Sequence, residues 1–290
     1  MGDLYAIITA ICWSSAVILF DISSKKFAAI EINAIKNFIG VLGFLSTIIL
    51  FSIPIPELTI NDLLTLALSG VLGILIADLL FLESLRRLGS GLSAVVSTIY
   101  TPSIFIIAFI LFNESVKIQS YLGGILVIGG IILSVYKMPK TITTRDMYLG
   151  VAFGMLAHIL TAYSVLIVRP IMANSSVVFI ALYRFGIGLL TTVAICVIRS
   201  SFSSVLTIFK EGLSNRYVLL GSFLGTYLSV IFWLAGYKYT LAGRAAIYNQ
   251  LSTIFIVLMA RLFLNEPFTI RKSIGVSLAI IGAIVVSIAS

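Results

Sequence analysis

Apolar residues run along this chain in ten long blocks, at about 4–21, 32–53, 62–82, 90–112, 118–136, 147–168, 176–198, 217–237, 242–264 and 271–289. Charged residues gather in the short gaps between them. A helix rises about 1.5 Å per residue and a hydrocarbon core is about 30 Å thick, so about 20 residues span it. Every block meets that length. None alternates polar and apolar residues as a barrel strand does. Backbone groups in lipid must find partners within their own segment, which selects helices. The pattern therefore predicts an all-α integral membrane protein with ten transmembrane helices.

The blocks also repeat. A shift of 152 residues lays Ser69-Gly70-Val71-Leu72-Gly73 on Gly221-Ser222-Phe223-Leu224-Gly225, Asn113-Glu114 on Asn265-Glu266, Gly123 on Gly275 and Gly130 on Gly282. A shift of 147 lays Phe38 on Phe185. A linker from Lys137 to Asp146 separates residues 1–137 from residues 146–290, and each part holds five blocks. Five is odd, so the chain enters the second part from the opposite face of the bilayer. The expectation is two inverted five-helix repeats, the plan of many secondary transporters, whose solute site lies at the midplane between the repeats.

Composition agrees with the blocks. The chain is 60% hydrophobic and 10% charged, with a mean hydropathy of +1.17, whereas a soluble domain carries about 25% charged residues. The first block has Asp3 where a leader would be basic, so it reads as a retained helix. The net charge of +8 does not point to nucleic acid, because the cations sit singly or in pairs at block ends, where they can reach headgroups. Cys12 and Cys196 lie inside apolar blocks and read as packing residues. With one histidine and no ligand spacing, no metal site is expected. No phosphate-loop motif is present, so neither a cofactor nor ATP hydrolysis is expected. Gaps after odd blocks hold twelve Lys and Arg residues and gaps after even blocks hold four. By the positive-inside rule the odd gaps face the cytoplasm and both termini lie outside.

Ionisable residues at membrane depth are costly and are functional candidates by default. Arg184 lies well inside the seventh block, as the counter-ion of a solute carboxylate or as a hydrogen-bonded brace. Asp78 and His158 are the candidates for proton coupling. The alternatives are a pairing of Asp78 with the Arg86–Arg87 region and a packed, hydrogen-bonded imidazole at His158. Glu83 stands three and four residues before Arg86 and Arg87, the spacing of a helical ion pair.

Ser93, Ser97 and Tyr100 recur at i, i+4 and i+7, and their partners in the second half are Ala245, Asn249 and Ser252, with Tyr248 beside them. Two matching polar stripes are expected to meet across a pseudo-two-fold axis and line a wet cavity, or else to bond helix to helix. Pro102 should kink its helix beside them. Trp13, Tyr163 and Tyr227 are core fillers or a solute-contacting wall, and Trp233 reads as an interface anchor. Glu114 and Glu266 precede the fifth and tenth blocks, placed to oppose the positive ends of those helices. Gly150-x-x-x-Gly154 and Gly221-x-x-x-Gly225 permit close helix approach.

Gly73 ahead of Asp78-Leu-Leu-Phe-Leu82, Leu85-Arg-Arg-Leu-Gly89, Tyr100-Thr-Pro102, Leu182-Tyr-Arg-Phe185, Ala242-Gly-Arg-Ala-Ala246 and Leu264-Asn-Glu266, with Trp13 in the first block, resemble the EamA-type branch of the drug/metabolite transporter superfamily over nearly the whole chain. Two positions depart from its pattern: Asn37, with Lys36 beside it, at the match of Arg184, and Ser14 after Trp13. The resemblance implies ten helices around a central cavity and export of small metabolites, often amino acids. It also implies cytoplasmic termini, against the charge count. The expected protein is a secondary transporter in the plasma (inner) membrane, working by alternating access as a monomer or homodimer. Its partners are a small-molecule substrate, protons and the lipid bilayer. The rival classes are an intramembrane enzyme, which would need a catalytic dyad or metal cluster, and a scaffold, which would need sizeable loops.

Overall fold

The computed structural model describes residues 2–112, 118–135, 142–239, 242–266 and 269–288, with the side chains of 2, 3, 120, 135, 237, 242–250, 286 and 287 outside the described set. Every regular element among them is helical. The chain begins with α1 (Gly2–Ser24) and α2 (Ala29–Leu50). The second helix starts where Glu31 accepts the backbone N–H of Ala28 at 2.8 Å. An extended stretch leads to α3 (Ile60–Ser69), whose first turn is capped by the Thr59 hydroxyl. A π-helical stretch, Gly70–Ala77, continues it into α4 (Asp78–Leu88). Gly89, at φ 76°, ends that rod in a conformation that costs other residues energy.

The next apolar block is split into α5 (Ser90–Ser97) and α6 (Tyr100–Phe112). Pro102 has no N–H to offer the carbonyl of Thr98, so the helix breaks there, as its position predicts. Then come α7 (Ile118–Val135), α8 (Thr144–Leu166), the short α9 (Arg169–Asn174) and α10 (Val177–Arg199). After α11 (Phe202–Ser214) follows a second interrupted rod, α12 (Arg216–Ser222), a π-helical stretch Phe223–Leu228, and α13 (Ser229–Tyr239). The last helices are α14 (Ala242–Phe263) and α15 (Ile270–Ile288).

Among the described residues, seven helical stretches are long and apolar enough to cross a bilayer: Leu4–Ser24, Ala29–Leu50, Ile60–Leu88, Ser90–Phe112, Thr144–Leu166, Val177–Arg199 and Arg216–Gly236. Shorter apolar stretches occur at Tyr121–Ser134 and Leu251–Phe263. The protein is a multi-pass membrane protein. The block pattern did not foresee α11. Its apolar residues fall on one stripe, from which Val205 and Gly212 are buried while Phe202 and Leu206 are exposed. Phe209 meets Phe38 of α2 edge-on at 5.3 Å. An amphipathic stretch of 13 residues falls short of a spanning block and so reads as a loop.

Small residues set the packing. Gly221 and Gly225 face Leu19, Phe20 and Ala16 of α1, and a methyl group on Gly225 would overlap Ala16. In α8, Gly150 faces Leu88, and Gly154 faces Ser84 and Val96. The Ser84 hydroxyl donates to the Gly150 carbonyl at 2.7 Å. Thus α1 lies on α12, α13 and α14, and α8 lies on α4, α5 and α6. Gly130 meets Gly275, and Gly282 meets Gly123, which brings α7 and α15 together antiparallel.

At one end of the bundle Asp21 accepts from the backbone N–H of Ser90 at 3.0 Å and from its hydroxyl at 2.5 Å. Glu266 accepts from the N–H of Gly91 at 3.2 Å and pairs with Lys272 at 3.0 Å. Glu266 therefore sits at the N-terminal end of α5 and also pairs with Lys272 in the first turn of α15. Glu114 lies outside the described residues.

Candidate functional site

The centre of the bundle holds a cavity of about 180 Å³. One water needs only about 10–15 Å³ of such space, so the cavity has room for a small solute. Both halves line it. Phe20 and Phe81 come from one buried apolar cluster, and Ile74 and Phe185 from the other.

The first π-helical stretch places the charged groups. An i→i+5 turn is wider than an α turn and offsets the residues that follow it. The stretch ends at Asp78, which Lys36 of α2 meets at 2.5 Å. The Lys36 ammonium also donates to Asn37 Oδ1 at 3.0 Å and lies 5.5 Å from the Phe185 ring centroid. Lys36 is 6% exposed, so an unpaired charge there would be costly, and Asp78 supplies its partner. Neighbouring helices are tied to the same stretch. The Asn33 amide donates to the Ile74 carbonyl at 3.1 Å and to Thr192 Oγ1 at 3.2 Å. The Ser69 hydroxyl donates to the Ser164 carbonyl at 2.6 Å.

Arg184 of α10 reaches the cavity beside this stretch. It is 2% exposed. One terminal nitrogen donates to Ser164 Oγ at 3.2 Å, and its Nε has no hydrogen-bond partner among the described residues. Gly73 makes room for both groups, since a methyl group there would strike the Ser164 side chain and come within 3.1 Å of the guanidinium. Opposite charges and aromatic rings share the remaining wall. The Trp13 and Phe81 ring centroids are 5.5 Å apart. His158 stands edge-on to Phe81 at 5.8 Å and to Tyr100 at 6.4 Å, with its Nε2 unbonded among the described residues.

Of the residues expected at a site, Trp13, Ser97, Tyr100, Arg184 and Ser252 line the cavity, as do Asp78 and His158. Ser93 does not, being buried in α5 one turn from Ser97. Ser97 and Tyr100, on either side of the break at 98–99, both reach the cavity. Tyr163 is off the cavity as well. Tyr227 points elsewhere: its hydroxyl is 2.6 Å from Thr47 Oγ1, and its ring packs on Phe44 and Phe223. The second π-helical stretch turns Thr226 inward in its place. The side chains of Tyr248 and Asn249 lie outside the described set.

Asp78 pairs with Lys36 and not with the Arg86–Arg87 region. Arg86 is held by Glu83, and Arg87 by Glu83 and Asp146. The helical pair from Glu83 is therefore present, as its spacing predicts. Trp233 lines the cavity instead of standing at an interface, because α13 carries it one helical turn past Ser229. Lys36, Thr9, Thr161, Thr226 and Ser229 are lining residues that the sequence reading did not select. For Lys36 the signal was present: it is an ionisable residue inside an apolar block, next to the match of Arg184.

The family model described as the EamA-like transporter family matches residues 1–136 and 148–288. The chain belongs to the EamA-like transporter family. As in the sequence reading, it is a multi-pass membrane protein of this family, and the match covers each half separately. A solved crystal structure, described only as that of a protein, is similar over 98% of this chain and 95% of its own, with a TM-score of 0.67 and 13% identity. At that identity the likeness shows the fold alone. A protein of Clostridium kluyveri described as an uncharacterized transporter is 24% identical over 139 residues. That match covers 46% of this EamA-like chain and 43% of the relative, so the chain spans less than half the length of the relative it matches.

Proposed function

We propose that this EamA-like protein is a secondary transporter that exports a small amphipathic metabolite across the plasma membrane by alternating access. Ten spans in two inverted repeats form it, with both termini on one face. The observation that carries this reading is the central cavity, which both halves line and which holds charged and hydrogen-bonding groups at membrane depth beside aromatic rings. Such groups are costly in a membrane unless they serve a solute or an ion path. The antiparallel meeting of α7 and α15 through glycines at matching positions supports the inverted relation. Protons are the candidate coupling ion, through Asp78 or His158.

Purified protein in liposomes tests the reading. Uptake and counterflow are measured for a panel of amino acids, organic anions and amphipathic drugs. At least one solute is expected to enter saturably and faster than into empty liposomes. A folded protein that moves none of them contradicts the transporter reading and favours an enzyme or scaffold.

A further inference from the structure

The charges that face the cavity do not cancel. Among the described lining residues Lys36 and Arg184 are cationic and Asp78 is the one acid. Lys36 and Asp78 satisfy each other at 2.5 Å. Among the described residues Arg184 has no counter-charge in contact. Arg184 is 2% exposed, and its one hydrogen-bonding partner among the described residues is the neutral hydroxyl of Ser164 at 3.2 Å. Its Nε–H bonds nothing among the described residues. A buried cation without an anion is costly. The planar donor fork of an arginine matches the two oxygens of a carboxylate better than it matches any neutral group.

We propose that the transported solute is a monoanionic carboxylate that supplies this missing charge. This rests on the transporter reading above and narrows it to a charge class. The carboxylate docks on Arg184, and the apolar remainder lies along the wall that includes Trp13, Phe81 and Phe185. His158 Nε2, also unbonded among the described residues, offers a point for a hydroxyl or carbonyl elsewhere on the solute. A zwitterionic amino acid fits less well. Its ammonium group needs an acid, and the cavity's Asp78 is engaged by Lys36. Binding an anion brings the lining and solute together to zero net charge, whereas a zwitterion leaves the excess cation in place.

The chain has two tryptophans, and both, Trp13 and Trp233, line the cavity, so intrinsic fluorescence reports on binding there. The probes are two matched series. One is 3-phenylpropanoate, phenylalanine, 3-phenylpropanamide and 3-phenylpropylamine. The other is hexanoate, norleucine, hexanamide and hexylamine. In at least one series the anion is expected to bind at least about tenfold more tightly than its zwitterionic, neutral and cationic relatives. Arg184→Gln should reduce that preference to about twofold or less, while Arg184→Lys, which keeps the charge, should retain part of it. Asp78→Asn frees the Lys36 charge and should tighten the anion several-fold while tightening no neutral relative.

A zwitterion or amide that binds as tightly as the anion in both series overturns the proposal. So does the absence of any fluorescence change with either anion at millimolar concentration. An anion preference that survives intact in folded Arg184→Gln overturns it too. If Arg184→Gln does not fold, the wild-type rank order and Asp78→Asn decide the matter. Liposome uptake separates the two levels of the reading. A transported amino acid with an untransported anion removes the charge assignment and leaves the transporter. Anion binding without transport of any solute removes the transporter and leaves the anion site.

Discussion

The π-helical stretch Gly70–Ala77 and its counterpart Phe223–Leu228 occupy matching places in the two halves but bring different chemistry to the cavity. The first leads into Asp78, has Lys36 against that carboxylate, and gives Arg184 its space through Gly73. The second leads into Ser229, turns Thr226 inward, and packs Gly225 on Ala16. Each stretch widens a helical turn next to the cavity, so the backbone device is shared. The side chains around it are not. The charged groups cluster at the first stretch, and hydroxyls and Trp233 cluster at the second. A duplicated scaffold thus encloses a polarised cavity, and an amphipathic solute is expected to bind in one orientation, with its charged end toward Gly70–Ala77.

The largest expected effect breaks the charged side of that comparison. Lys36→Met leaves Asp78 without its partner. Splitting a buried ion pair costs about 3–5 kcal/mol, and Asp78 keeps 22% side-chain exposure, so the lower end is expected here. Thermal unfolding in detergent should show a large drop for Lys36→Met and a substantial recovery when Asp78→Asn is added. A double variant no more stable than the single one would show that the pair does not act as a unit.

The matched glycines sharpen the comparison at the next level. Gly73→Ala and Gly225→Ala should each cost about 1–3 kcal/mol, because both sites already touch a neighbour. The consequences for binding should differ. Gly73→Ala displaces Ser164 from Arg184 and should weaken solute binding beyond its effect on stability. Gly225→Ala presses on α1 and should leave the rank order of solutes unchanged. Equal effects of both on solute rank order would remove the distinction between the two stretches.

The smallest effect concerns a residue that the second stretch turns away from the cavity. Tyr227→Phe removes the hydroxyl contact with Thr47 and should cost about 0.5–1.5 kcal/mol. Solute affinity should not move. A several-fold loss of affinity would place Tyr227 at the site after all.

The same comparison explains what could be read from the sequence. The membrane-spanning helices were legible because lipid demands long uninterrupted apolar blocks. Arg184, Asp78 and His158 were legible because an ionisable residue inside such a block is rare. Partners were less so. Lys36 and Asp78 are 42 residues apart, and no local spacing links them. The π-helical stretches were invisible to a reading based on 3.6 residues per turn, and the errors fall beside them: Tyr227 was chosen where Thr226 faces inward. Likewise Ser93 and Ser97 share a helix face by spacing, yet Ser93 is buried in the packing between helices while Ser97 and Tyr100, on either side of the break at 98–99, reach the cavity. The amphipathic α11 was missed because only one of its faces is apolar.

The central claim is that the solute occupies the cavity between the halves. Its most direct test is thiol accessibility in a chain with Cys12→Ala and Cys196→Ala, carrying either Ser97→Cys or Ser93→Cys. Ser97 lines the cavity, whereas Ser93 is buried about 6 Å further along the same helix, four residues at about 1.5 Å each. In membranes, a water-soluble maleimide should modify Ser97→Cys and not Ser93→Cys, and the transported solute should slow the first reaction. An unreactive Ser97→Cys in a folded, transporting protein, or a reaction that the solute does not slow, would contradict the account.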